Sequence, residues 1–127
     1  MPHSEKIKSA AQAAINVIIQ QVKGAKAVVI STGDGFEVAA HAENNAQVSR
    51  MSAMASSLSA LGVLAGEESR LGSCKNILIE AEAGILLILQ VQSEHDTWIM
   101  SVIAGNDAVV GQVLFFARQA ASNLQDL

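Results

Sequence analysis

Apolar residues return every three or four positions along the first stretch of the chain, at Ile7, Ala11, Ala14, Ile15, Ile18 and Val22. That spacing predicts a helix with one apolar face. Ser4 stands where an N-cap belongs and Gly24 where a stop belongs, with Lys23 near the negative end of the helix dipole. The pattern then changes to a β-branched run from Ala25 to Ser31, a Thr32-Gly33-Asp34-Gly35 turn, and a second run from Phe36 to Ala40. Two such runs across a Gly-Asp-Gly turn predict a β-hairpin. A polar connector, Ala42 to Asn45, leads into a second helix from Ala46 to Leu71, with Gly72 as its stop. Gly62 and Gly66 argue against its continuity, since each costs about 1 kcal/mol against Ala in a helix interior.

Three strand candidates follow, Lys75 to Ala81, Ile85 to Gln92 and Thr97 to Ala104. Their links, Glu82-Ala83-Gly84 and Ser93-Glu94-His95-Asp96, are of hairpin length, which predicts an antiparallel meander. After Gly105-Asn106-Asp107, a third helix has its apolar face at Val109, Val110, Val113, Leu114, Ala117, Ala121 and Leu124. The order α-β-β-α-β-β-β-α, with hairpins and no crossover helices, describes an α+β layered domain around an antiparallel sheet. The 127 residues fit a single domain, 1–127, with no linker, repeat or low-complexity segment.

The second helix is the most informative element. One stripe, Met51, Ala55, Leu58, Leu61 and Ala65, suits packing on the sheet. A second stripe, Ala53, Ser56, Ser57, Ala60 and Leu64 joined by Val63, is small and weakly polar. Between Ala46 and Gly66 the only charge is Arg50, whereas a helix packed on one side carries charges on the other. The second stripe therefore reads as a dimer or partner interface. The competing reading is a central helix covered by other parts of the same chain, for which so short a chain has little spare mass. Gly62-x-x-x-Gly66 is a spacing also used by membrane helix pairs. The charge-free segment Met51 to Gly66 reaches only about 24 Å as a helix, short of a ~30 Å hydrocarbon core, so no membrane insertion is expected.

Composition narrows the function. Half of the residues are hydrophobic, yet aromatics make up 3% and Tyr is absent, so Ala, Val, Ile and Leu carry the apolar content. Acids outnumber bases 12 to 8, for a net charge of −4, which argues against a nucleic-acid partner. The single cysteine, Cys74, excludes an internal disulfide and a four-thiolate zinc site. No apolar targeting segment follows Met1-Pro2-His3-Ser4-Glu5-Lys6, and a lone thiol suits a cytoplasmic location.

Candidate chemistry is sparse. The Gly33-Asp34-Gly35 turn lacks the lysine and hydroxyl of a phosphate-binding loop and precedes a strand. His3, His41 and His95 form no ligand-spaced pair, and Cys74 has no neighbouring histidine. Glu67-Glu68 reads as a solvated helix end, and Glu80 with Glu82 as the outward positions of a strand. Arg50, Arg70 and Arg118 are the only arginines, each suited to an acidic partner or to solvent. No triad, nucleophile elbow or dinucleotide fingerprint appears. We assign no catalytic residue, cofactor or metal and read the chain as a non-enzyme. Trp98, Phe36, Phe115 and Phe116 are the only aromatics that could line a small-ligand cavity, the alternative being core packing.

The sequence resembles the Roadblock/dynein light-chain domain family. Four pieces carry the resemblance: Gly24-Ala25 through Val28-Val29-Ile30-Ser31 to Asp34-Gly35-Phe36, the Ala/Ser/Leu-rich helix from Met51 to Ala65, Ile79-Glu80 with Gly84-Ile85-Leu86 and the strand to Val91, and Ala104 through Gly111-Gln112-Val113. Together they cover nearly the whole chain in the family's order. The resemblance implies a five-stranded antiparallel sheet with the middle helix on one face and the terminal helices on the other. It implies a homodimer through the middle helix and the strand after it, which adds Ile77 and Ile79 to the second stripe. Bacterial members look like regulators of small Ras-like GTPases, and eukaryotic relatives like motor light chains or scaffolds. The resemblance carries over no catalytic residue. The expected function is thus a dimeric interaction module for a small Ras-like GTPase, with a scaffold or light-chain-like subunit and a ligand-sensing domain as alternatives.

Overall fold

A computed structural model describes residues 5–93 and 96–125. Along the chain the elements are α1 (Glu5–Gln21), β1 (Ala25–Thr32), β2 (Glu37–His41), α2 (Asn45–Glu68), β3 (Asn76–Ala81), β4 (Gly84–Gln92), β5 (Thr97–Gly105) and α3 (Val110–Leu124). The α+β order α-β-β-α-β-β-β-α read from the periodicity is the order of the fold. All five strands form one antiparallel sheet in the order β2-β1-β5-β4-β3. The hairpin and the meander, each legible locally, are joined by β1 pairing with β5 from Ala25↔Ala104 to Thr32↔Trp98.

Strand alternation divides the sheet between two layers. Val28, Ile30, Leu87, Leu89, Met100 and Val102 face α1 and α3 and join Ile15, Ile18, Val113 and Ala117 in the main core. Ala27, Val29, Ile88 and Ile99 face α2, packing against Val48, Met51 and Ala55.

The ends of α2 have identifiable causes. The Asn44 side chain accepts from the Gln47 N–H at 2.8 Å, and the Gln47 side chain accepts from the Glu43 N–H at 2.9 Å, so the connector caps the helix. The helix stops at Glu68, earlier than the Leu71 expected from sequence. Arg70 adopts φ +57°, its N–H donates to the Glu67 carbonyl at 3.1 Å, and the Leu71 N–H donates to the Gly66 carbonyl at 2.9 Å. This is a Schellman closure with an arginine, and not Gly72, in the left-handed position. The proposed α1 cap Ser4, together with His3 and His95, lies outside the described residues. In the β1–β2 turn the Thr32 hydroxyl donates to Asp34 at 2.6 Å and accepts from the Phe36 N–H at 3.0 Å. The turn is thus held by its own side chain, with Gly35 at φ +96°.

Candidate interaction surface

The inward face of α2 consists of Val48, Met51, Ser52, Ala55 and Ser59, all buried, followed by Gly62 and Gly66. A Cβ built on Gly62 would lie 2.9 Å from Ile77 Cδ1 and 3.0 Å from Cys74 Sγ, and one on Gly66 would strike the Gly72 carbonyl. These glycines let the second half of the helix lie directly on β3 and the loop before it. Leu61 and Ala65, expected on the sheet-facing stripe, are therefore turned outward, and Leu61 is 60% exposed. The inward stripe continues through serine and glycine rather than leucine and alanine, because only small residues fit so close an approach. Gly62-x-x-x-Gly66 was the sequence signal for this contact.

The outward face is correspondingly apolar. Ala53, Met54, Ser57, Ala60, Leu61 and Leu64 are exposed along one side of α2, flanked by Val63. Leu71, just beyond the helix, is 83% exposed, and Ile79 on β3 is also exposed. An open groove of about 540 Å³ runs between this flank and β3, lined by Leu58, Leu61, Ala65, Leu71 and Ile77. Patches of exposed large apolar side chains mark interaction surfaces on soluble domains. By length and composition alone α2 is also apolar enough to cross a membrane, but its inward residues pack on the sheet.

Of the eight residues singled out in the sequence, Ala53, Ser57, Ala60, Val63, Leu64 and Ile79 lie on this exposed surface. Ser56 and Ile77 are engaged within the chain. The Ser56 hydroxyl donates to the Gly33 carbonyl at 2.9 Å, tying α2 to the β1–β2 turn. Ile77 is half-buried against α2. Leu61 was expected on the sheet because of its hydrophobicity, and Met54 and Leu71, which the sequence reading placed on neither face, are exposed with it.

The two edges of the sheet differ. β2 is five residues long, and its pairing with β1 shifts register between Ile30 and Ser31. β3 pairs with β4 without a shift from Asn76↔Leu89 to Ala81↔Gly84, and its other side is unpaired among the described residues. A regular, apolar, uncovered edge is a template for another strand, whereas a short or bulged one is protected. The start of β3 is fastened by Arg118, which donates to Asn76 Oδ1 at 2.9 Å, and by the Cys74 thiol, which donates to the Asn76 carbonyl at 3.6 Å. Arg118 thus has a partner inside the chain.

The four aromatics do not come together around a shared cavity. Trp98 is buried in the main core, Phe36 is 66% exposed at the β1–β2 turn, and Phe115 and Phe116 stack edge-to-face on α3 with centroids 5.1 Å apart. Among the described residues no group of three or more His, Cys, Asp or Glu side chains could hold a metal ion.

The Roadblock/LC7 domain family model matches residues 15–104. No curated protein sequence matches the chain. Among solved structures, a Roadblock/LC7 domain from Streptomyces avermitilis is similar at 19% identity, covering 97% of this chain and 95% of that one, with a TM-score of 0.76. MglB from Myxococcus xanthus is similar at 13% identity over 98% of this chain and 91% of that one, with a TM-score of 0.82. The gliding protein MglB from Thermus thermophilus is similar at 12% identity over 98% and 92%, with a TM-score of 0.83.

Proposed function

The chain belongs to the Roadblock/LC7 domain family, and from that premise we propose that it is a non-catalytic, cytoplasmic homodimer that binds and regulates a small Ras-like GTPase. The observation that carries this reading is the exposed apolar face of α2 lying beside the regular open edge of β3. Both features serve a second copy of the same chain under one operation. A two-fold axis normal to the sheet reverses α2 and β3 together, so the helices pack and the edges pair antiparallel. The paired sheets form a platform on which a globular partner can rest. The solved neighbours are bacterial, and the family resemblance, under which bacterial members look like regulators of small Ras-like GTPases, favours a GTPase as that partner over a motor complex.

Self-association is tested with Ala60→Glu. Ala60 is exposed in the single chain, so the variant should keep its circular-dichroism spectrum and its helix content. In a dimer that buries Ala60, an unpaired carboxylate costs several kcal/mol, enough to leave a monomer in light scattering at micromolar concentration. An unchanged dimer would remove the α2 face from the interface. Regulation is tested by incubating the wild-type protein with source-cell lysate and either GDP or a non-hydrolysable GTP analogue. The recovered GTPase is then purified and its binding repeated by calorimetry. Nucleotide-dependent binding of a Ras-like GTPase is the expected result. Recovery of other proteins irrespective of nucleotide, with no GTPase, would assign the dimer to a scaffold role.

A further inference from the structure

Beyond the start of β3 the sheet loses a strand. β3 pairs with β4 only from Asn76↔Leu89 onward, while β4 runs on to Gln92. Gln90, Val91 and Gln92 pair with Ile99, Trp98 and Thr97 of β5 on one side and, among the described residues, with no strand on the other. The cause is the close approach of α2. A Cβ on Gly62 would lie 3.0 Å from Cys74 Sγ, and one on Gly66 would strike the Gly72 carbonyl. The loop 72–75 is thus held against α2 and drawn away from the line of β3. Where it departs, a cleft of about 620 Å³ opens at the bare end of β4. That is room for a few residues of an extended chain. α2 and α3 stand on opposite faces of the sheet and form the two walls of the cleft. Val63 and Glu67 line one wall, and Arg118, Ala121 and Ser122 the other.

We propose that this cleft takes a short extended segment of a partner protein, with acidic side chains at alternate positions, added to the sheet beside residues 90–92. Three bare residues offer about 10 Å of strand edge at ~3.3 Å each, and such an edge recognises the backbone of an extended chain. The side chains of an added strand alternate between the two walls. Toward α3 they meet Arg118, which donates to Asn76 Oδ1 at 2.9 Å and, among the described residues, makes no ion pair. A guanidinium has five N–H donors, so donors remain for a carboxylate. Toward α2 they meet Val63, which suits a small apolar side chain, and Glu67, which disfavours an acid on that side. With Lys75 the cleft holds two bases and one acid, in a chain whose net charge is −4. This local excess of positive charge selects an acidic segment over a basic one. Of the residues assigned above to the dimer, only Val63 lines the cleft, so the two surfaces are largely separate.

The probe is a terminally blocked peptide of alternating valine and glutamate, titrated into the full chain and followed by NMR. Saturable shifts at the backbone amides of residues 90–92 are expected by about 2 mM peptide, in the weak range of binding. Lys75→Glu changes an exposed side chain, and Arg118→Gln keeps an amide that can donate to Asn76, so both variants should retain the wild-type amide spectrum. Each should bind the peptide about tenfold or more weakly. The same peptide with lysine in place of glutamate should not bind. N-methylation of one alternate set of peptide nitrogens should abolish binding and methylation of the other set should not, because an added strand directs its N–H groups alternately to either side. Shifts confined to another surface, affinity unchanged by Lys75→Glu, or indifference to both methylated sets would overturn the proposal. So would the absence of any shift at residues 90–92, the result expected if a second copy of the chain fills the cleft.

Discussion

The two faces of the sheet are finished in opposite ways. On one face two helices lie over Ile30, Leu87, Val91, Met100 and Val102, and Ile15 and Ile18 of α1 complete a core of large, branched side chains. On the other face a single helix lies over the strands and meets them with Ser52, Ala55, Ser59, Gly62 and Gly66. Leu58 joins them, but Leu61 and Leu64 point away. The first face is stabilised by volume filled with hydrocarbon. The second is stabilised by close approach, and the large apolar surface that α2 withholds from its own sheet remains available to another molecule. The second face also accepts a polar burden. The hydroxyls of Ser52 and Ser59 on α2, and of Ser31 and Ser101 on the strands beneath, are buried without a hydrogen-bond partner among the described residues.

This difference predicts a graded set of responses in urea unfolding at one fixed protein concentration. The largest effect belongs to the filled face. Ile18→Ala should remove about 2–5 kcal/mol, because the side chain is fully buried between α1 and the sheet and its loss leaves a cavity. A smaller loss would show that α1 is loosely held and that the main core is concentrated under α3. Next comes Gly66→Ala. In an exposed helix interior this exchange gains about 1 kcal/mol. Here the new methyl group meets the Gly72 carbonyl, a backbone atom that moves only with its loop, and the expected sign is reversed to a loss of about 1–3 kcal/mol. A gain would mean that the helix is not pressed against the loop as described. The smallest effect is expected for Ser59→Ala, a gain of up to about 1 kcal/mol from removing a buried hydroxyl without a partner. A loss beyond that size would reveal a hydrogen bond made by Ser59 in solution, and the two faces would then be more alike.

Much of this was legible without coordinates. The apolar repeat in α1, the Thr32-Gly33-Asp34-Gly35 turn and the hairpin-length links around β4 each state a local geometry, and the structure places the elements accordingly. The absence of charge along α2 between Arg50 and Glu67 already marked that helix as unusual. The error lay in the second half of α2: Met51, Ala55 and Leu58 pack on the sheet as expected, whereas Leu61 and Ala65 face outward. Hydrophobicity ranks Leu61 above Ser59 and Gly62 for burial, and the fold reverses the ranking because the distance between helix and sheet admits only small groups. Ser56 illustrates the same limit, since its hydrogen bond to the Gly33 carbonyl spans 23 residues of chain.

Periodicity and turn chemistry act within a few residues, and they sufficed for the elements, their order, and the helix without a polar face. The acidic balance and the sparse set of groups available for chemistry were equally plain from the residues alone. Three outcomes emerged only once the chain was folded. The hairpin joins the meander through β1 and β5, β3 is among the described residues a regular open edge while β2 is a short shifted one, and in the second half of α2 Gly62 rather than Leu61 meets β3. Those outcomes depend on distances between segments far apart in the chain, and on volumes that no local pattern encodes.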